Sequence, residues 1–426
     1  MSALREKAAA VGLLVRRSLR HHALSTALTV ACAALSTGLV MAVFAIQAQC
    51  RDAFTGGAIG FDAVLGARGS QLQLVLNSVF HLETSPGNIP WRYYKAIQAN
   101  PAVALAIPYA VGDNYRGYRL VGTESALFTD FEYQEGKRLA FQRGRAFNPA
   151  AREAVVGAYA ARKLGLNVGD TFHPYHGLVF DPNAMHDEIF TVSGVLEPSG
   201  TPNDRVIWIP LDGFYRMAGH VLRGAGASRA YSARPGQAIP DAYKEISAVM
   251  IKFRDPQAAF ALSQMINQQG TVATLAWPIP KVMAELFDKL GWAFRVLTLV
   301  ALLVMALSAA ATVAALVNTL EARRRDFAIL RSLGAGRGTL VALVVGESAA
   351  VGALGAAAGF IVYAAVLALT GAVLRDSTGV LLRWDAFHPA LLWAPLGMVG
   401  LSALAGLLPA WLAYRVDVAS GLAPRT

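Results

Sequence analysis

The densest run of metal-ligating side chains is His173-Pro-Tyr-His176, followed by Asp181, His186, Asp187 and Glu188. Imidazole and carboxylate donors suit zinc and related cations. His173, His176, His186 and Asp187 are the candidate ligands. The H-x-x-H…H-D-E spacing is loose, and loops collect such residues without holding a metal. A polar contact surface for a partner protein and a plain solvated loop are the competing readings.

A second group with chemical potential is Glu347, the one ionisable residue well within a long apolar run. A carboxylate in a bilayer is expensive and is normally functional or paired. It falls about two turns from the end of its run, so a structural carboxylate reaching an arginine or a backbone donor competes with a functional one. Enzyme signatures are missing from the sequence. There is no G-x-x-x-x-G-K-[ST] phosphate loop; Gly136-Lys137 is followed by Arg138 and lacks the upstream glycine spacing. Nor is there a G-x-S-x-G elbow or an H-E-x-x-H helix. The chain is therefore read as no enzyme in its own right, with no cofactor of its own beyond the candidate zinc.

Composition places these groups in a membrane protein. Of 426 residues, 55% are hydrophobic and only 15% charged, against about 25% charged in a typical soluble domain. The formal net charge of +10 gathers at the ends of apolar runs, which points to membrane orientation and lipid contact rather than nucleic acid. Cys32 and Cys50 would stand about 27 Å apart on one helix, too far to bridge.

Four apolar runs are long enough to span a bilayer. Residues 1–22 form a basic amphipathic lead-in, and 23–50 the first span, read as a retained helix rather than a cleaved signal peptide. Residues 281–295 are amphipathic and fit a stalk helix rising continuously from the membrane; residues 289–320 carry its end and the second span. The third is 339–371 and the fourth 389–414, separated by a short external loop, 372–388, and followed by a tail, 415–426. Residues 51–288 form one large polar region between the first two spans. Basic residues concentrate in residues 1–22, in the loop 321–338 and at Arg415 and Arg425, which predicts both termini inside and the large region outside.

Within that region, strand patterns lie at 62–66, 103–109, 118–122, 190–196, 205–210, 247–253 and 271–276. Helical patterns lie at 71–80, 91–100 and 256–269, and residues 153–166 read as a strand entering a helix. The class is therefore four transmembrane α-helices with a large external α/β domain between helices 1 and 2. Gly56 to Ser70 is glycine-rich but opens no phosphate-binding helix, and reads as a hinge and first strand.

The loop between spans two and three is internally ordered. It carries Arg323, Arg324, Arg325, Arg331 and Arg337 against Glu321 and Asp326. Phe327, Leu330 and Leu333 recur at spacings of three, with Ala328 and Ile329 widening the apolar side, as in a short amphipathic surface helix. Gly334 and Gly336 would end it. Such a helix suits a handle for a soluble partner; a solvated positive-inside loop explains the charge equally well.

Residue order adds to this. The run Glu321-Ala-Arg-Arg-Arg-Asp-Phe-Ala-Ile-Leu-Arg-Ser-Leu-Gly-Ala resembles the core of the FtsX-type permease domain. That domain occurs in MacB-like ABC transporter subunits and LolC/LolE-type lipoprotein-release permeases. The family core reads E-R-R-x-E-[IF]-[GA]-[IL]-L-[RK]-[AS]-[LI]-G-A, and Asp326 stands where glutamate is usual. The likeness continues through Gly346-Glu347-Ser348 and the small-residue face of Gly352, Gly355 and Gly359.

The resemblance implies a MacB-like periplasmic domain of two lobes, one built from 60–112 plus 245–285 and an inserted lobe from 113–244. It implies residence in a bacterial inner membrane and a permease of the MacB/LolC class. A separate cytoplasmic ABC ATPase, carrying ATP and magnesium, would push on the segment from Glu321 to Gly334. The motion would expel or extract periplasmic or outer-leaflet cargo. It further implies a homodimer or a pairing with a similar permease, with a periplasmic adaptor or substrate-binding protein as a further candidate partner. Gly355-x-x-x-Gly359 permits close helix approach, within one chain or across a dimer. An FtsX-like regulator of a periplasmic partner, or a zinc-handling system, is the alternative function. The cargo is not legible.

Overall fold

The structure is a computed structural model that describes residues 2–56, 59–220, 222, 231, 237–322 and 324–414. The chain divides into two compact units. One comprises residues 1–50, 290–371 and 382–426, the other 51–289 and 372–381.

Among the described residues of the first unit, four helices are long and apolar enough to cross a membrane: Ala23–Thr55, Gly291–Leu320, Arg337–Thr378 and Ala390–Leu412. The full helices are α1 (Ser2–His21) and α2 (Ala23–Thr55), and later α9 (Gly291–Ala322), α10 (Arg324–Ser332), α11 (Arg337–Thr378), α12 (Ala390–Ala405) and α13 (Leu407–Tyr414). Val40 and Met41 of α2, Ala301 and Met305 of α9, Tyr363 and Leu367 of α11, and Ala394 and Met398 of α12 share one core. The α2 and α11 backbones approach closely because glycines face them. A Cβ at Gly355 would overlap Ala33, and one at Gly359 would lie 3.0 Å from Thr37. Gly352 is covered by Ser402 and Val399 of α12. The whole small-residue stripe is thus occupied inside this chain.

The second unit is built on one mixed sheet. Its strands are β1 (Ala63–Ala67), β2 (Val103–Tyr115), β3 (Tyr118–Thr123), β4 (Phe141–Gly144), β5 (Glu153–Val156), β6 (Thr171–Phe172), β7 (Tyr175–His176), β8 (Phe190–Leu196), β9 (Ile207–Pro210), β10 (Ala248–Phe253) and β11 (Ala273–Ala276). The order is β11-β1-β10-β2-β3-β9-β5-β8-β4, with β7 added to β2 and β6 to β8. Period-two alternation sorts the side chains: Leu65, Ile207 and Ile209 enter one core, Val64 and Trp208 the other. Helices α4 (Trp91–Gln98), α5 (Ala158–Leu164), α6 (Leu211–Tyr215) and α7 (Pro256–Gln264) cover the first face. Helices α3 (Gln71–Ser78) and α8 (Ile279–Lys289) cover the second.

The two lobes expected from residues 60–112 plus 245–285 and 113–244 share this sheet. Strand β2 joins them, since its first half pairs with β10 and its second with β3. Two other expectations need correction. The stalk is not one continuous helix: α8 ends at Lys289 and α9 begins at Gly291, where glycine weakens helix continuation. Residues 372–378, expected as loop, continue α11 to Thr378, and Gly379 at φ +77° ends it. The second unit holds this extension. Tyr159 Oη donates to Asp376 Oδ1 at 2.6 Å, and Arg205 donates to the Ser377 carbonyl.

Candidate functional site

The helix α10 carries the arginine-rich segment. Ala328 is fully buried, and Phe327 is 2% exposed, packed with Val15 of α1, Leu320 of α9, Leu340, Leu343 and Val344 of α11 and Ala410 of α13. Leu330 is half-buried against the same cluster. The expected single apolar side is split: Ile329 is 41% and Leu333 79% exposed, alongside exposed Arg325 and Asp326. Helical spacing explains the split, because i and i+4 share a face while i+2 does not. Gly334 adopts φ +95°, and Ala335 N–H returns to the Leu330 carbonyl at 3.0 Å, ending the helix as expected. Arg331 is half-buried, and Arg337 lies over the Tyr414 ring at 4.9 Å. Arg323 lies outside the described residues, as do the side chains of Glu321 and Arg324 and the tail 415–426. Glu347 is 5% exposed and accepts a 2.6 Å hydrogen bond from Ser18 Oγ of α1.

The second unit gathers a different set of ligands from the one expected. Asp113, His176, His186 and His220 each present a ligand atom, all within 4.8 Å of one another. His176 and His186 were anticipated; Asp113 and His220 were not. His173 and Asp187 are not among them. The His173 ring nitrogen Nδ1 instead lies 3.1 Å from the His186 carbonyl oxygen, and Asp187 faces solvent.

Backbone geometry makes this cluster. Strand β2 pairs regularly with β3 through Ala110 and Val111, then skips Gly112, so that Asp113 faces Leu120. This bulge shifts the alternation by one residue. Asp113 thereby leaves the face of Val111 and joins that of Ala110 and Leu120. His176 is its cross-strand partner on β7. The chain then turns back: His176 N–H donates to the Ala184 carbonyl and His186 N–H to the Pro174 carbonyl, at 2.7 and 2.8 Å. His220 follows α6 and stacks edge-on against Phe214 with ring centres 4.6 Å apart.

Further contacts fix these segments. Asn114 Nδ2 donates to the carbonyls of Gly177 and Val179 at 2.9 and 3.3 Å. Glu188 Oε1 accepts from Ala218 N–H at 3.0 Å, tying the His186 segment to the turn that carries His220. Burial opposes ionisation of Asp113, but the neighbouring imidazoles of His186 and His220 outweigh it and hold the carboxyl below its usual range. Donating to the Asp113 carboxylate raises the His186 pKa, against its own burial. A cavity of about 230 Å³ adjoins His176 and His220, lined also by Tyr215, Tyr243 and Ser247.

Sequence reasoning missed Asp113 because its strand is otherwise read for apolar residues. A lone acid inside a buried strand was the available signal. His220, isolated between Gly219 and Val221 in the sequence, offered none.

Comparison with known proteins sets these features in a family. A profile described as the MacB-like periplasmic core domain matches residues 26–269, and one described as the FtsX-like permease C-terminal domain matches residues 298–418. The chain belongs to the MacB-like, FtsX-containing family of ABC transporter permeases. The resemblance drawn from the arginine-rich run is thereby confirmed, as is the class of four transmembrane helices with a MacB-like α/β domain. Membership implies an ABC ATPase as partner and a place in the inner membrane with a periplasmic domain. Solved structures similar to this permease include the extracellular domain of the noncanonic ABC-type transporter YknZ from Gram-positive bacteria, at 14% identity, covering 50% of this chain and 97% of that one, with a TM-score of 0.28. The periplasmic region of MacB from Actinobacillus actinomycetemcomitans is similar at 12% identity, covering 54% and 94%, with a TM-score of 0.32. No curated protein matches significantly.

Proposed function

We propose that this permease transmits force from a separate cytoplasmic ATPase, through helix α10 and the membrane helices, to its periplasmic domain. Cargo already in the periplasm or the outer leaflet is then expelled or extracted. Both termini lie in the cytoplasm in this reading, and the chain works as a dimer or beside a similar permease. A periplasmic adaptor or substrate-binding protein can join it there.

The observation that carries the reading is the division of α10. Its inner face, Phe327 and Ala328, is buried, with Phe327 packed among α1, α9, α11 and α13, while Ile329, Leu333 and Arg325 stay open. A helix held on one side and apolar on the other suits a handle that a soluble partner grips. The near absence of ionisable groups from the apolar spans agrees with motion transfer rather than a wide aqueous path. In this reading ATP and magnesium sit on the partner chain, in keeping with the lack of a phosphate-loop motif in this sequence.

The test is co-purification in mild detergent with the ATPases encoded beside it. A P-loop ATPase should be retained by the unaltered chain and lost from Leu333→Asp and Arg325→Glu variants that remain folded. Unchanged ATPase association and transport in both variants sinks the proposal.

A further inference from the structure

Three imidazoles surround one carboxylate in the periplasmic domain. The ring centres of His176, His186 and His220 form a nearly equilateral triangle with sides of 5.5, 5.6 and 5.5 Å. The rings meet edge-on, with interplanar angles of 69 to 82°. Asp113 stands against all three: Oδ1 lies 3.2 Å from His176 Nδ1 and 3.3 Å from His186 Nε2, and Oδ2 lies 2.9 Å from His220 Nε2. A tetrahedral zinc ion with bonds of about 2.0–2.1 Å separates neighbouring ligand atoms by about 3.3 Å. The three carboxylate–imidazole separations fall near that edge length, and all four ligand atoms lie within 4.8 Å of one another.

Two of the four atoms show why a hydrogen-bonded cluster is an incomplete account. Asp113 Oδ2 and His220 Nε2 are both buried, and neither has a hydrogen-bond partner, although they are 2.9 Å apart. They converge without the alignment that a hydrogen bond requires. Buried polar atoms left in this state are uncommon and mark a place where another partner is expected. Asp113 is completely buried, and no lysine or arginine pairs with it among the described ion pairs. A divalent cation supplies the missing charge and a common target for all four lone pairs.

We propose that Asp113, His176, His186 and His220 form a site for a divalent cation of the zinc class. Three nitrogen donors and one carboxylate, with no thiolate, suit Zn²⁺ and its borderline neighbours rather than Mg²⁺ or Ca²⁺, which take all-oxygen shells. The surrounding contacts are those of ligands held in place: Asn114 pins the His176 turn, and Glu188 ties the His186 segment to the His220 turn. The His176 side chain is 59% exposed, so the ion enters from its side. Once bound, it ties β2 to the two turns that carry the histidines. The assignment stands on this unit alone and does not depend on the coupling reading of α10.

The experiment uses the full chain in detergent, purified on a tag without histidine, stripped with chelator and titrated with Zn²⁺ alone by calorimetry. One Zn²⁺ per chain is expected. His176→Ala, an exposed position that leaves the core intact, should weaken binding by about tenfold or more, and His220→Ala should do likewise. His173→Ala and Asp187→Asn should bind as the unaltered chain does. Substituted Co²⁺ should give the strong visible absorption of a tetrahedral site, lost in His176→Ala. Absence of stoichiometric uptake, or uptake unaffected by both histidine variants, would overturn the assignment.

Discussion

Ser18 Oγ donates to Glu347 Oε1 at 2.6 Å, joining α1 to α11 across 329 residues of sequence. Ser18 is 5% exposed, as is Glu347. The intramembrane acid therefore has a hydroxyl partner on the amphipathic lead-in, where the sequence suggested an arginine or a backbone donor. A hydrogen bond of this kind contributes about 0.5–1.5 kcal/mol. Glu347→Ala should lower the melting temperature of the detergent-purified chain more than Glu347→Gln does. Ser18→Ala and Glu347→Ala should be non-additive by about 1 kcal/mol or more in a double-mutant cycle. Strict additivity would show the pair to be uncoupled.

The two faces of α10 should separate stability from coupling. Phe327→Ala removes a side chain that is 2% exposed and should destabilise the unit by about 3–5 kcal/mol. Leu333→Asp changes a side chain 79% exposed and should alter stability by less than about 0.5 kcal/mol. Thermal unfolding, compared with ATPase co-purification, reads both. Equal loss of stability in the two variants would mean that Leu333 is covered.

The close approach of α2 and α11 depends on Gly355 facing Ala33. Gly355→Val should cost about 1–3 kcal/mol through overpacking, and Ala33→Gly should restore part of it. Detergent melting temperatures of the single and double variants measure the rescue. No rescue would place the damage elsewhere on the stripe.

His81 predicts how the periplasmic domain responds to acid. It is 6% exposed, adopts φ +55°, and meets Trp208 edge-on at 5.9 Å. Burial, then the charges of Arg119 and Arg205, lower its pKa from 6.5 to about 3. The unfolded chain thus takes up a proton near pH 6.5 while the folded domain resists until about pH 3. Its contribution to stability is present above pH 6.5 and is lost as pH falls through that window, by up to about 1.4 kcal/mol per unit. His81→Asn tolerates the left-handed backbone and should flatten this part of the pH–stability curve. An unchanged curve would assign the acid sensitivity to other groups.

Most of the architecture was legible because its causes are local. A span announces itself by length without charge, and a half-buried strand by alternation. The regular strands at 118–123, 190–196 and 248–253 and the helices beginning at Gln71, Trp91 and Pro256 follow their sequence patterns closely. The break at Leu290 and the extension of α11 to Thr378 were not legible. A single glycine leaves helix continuation undecided, and residues 372–378 are held as helix where Asp376 meets Tyr159 and Ser377 meets Arg205.

The sequence by itself determined that this chain spans a membrane, that it carries a large α/β insertion, and that the arginine-rich run marks its permease family. Each follows from composition, periodicity or residue order over a few turns of chain. Tertiary structure alone decided which face of α10 stays open, because burial depends on helices far away in sequence. It also decided the ligand set of the candidate zinc site. One skipped residue at Gly112 turned Asp113 to the opposite side of its strand, and long-range pairing brought His176, His186 and His220 to meet it. Spacing along the chain records neither event, since a bulge and a cross-strand register are properties of the folded sheet.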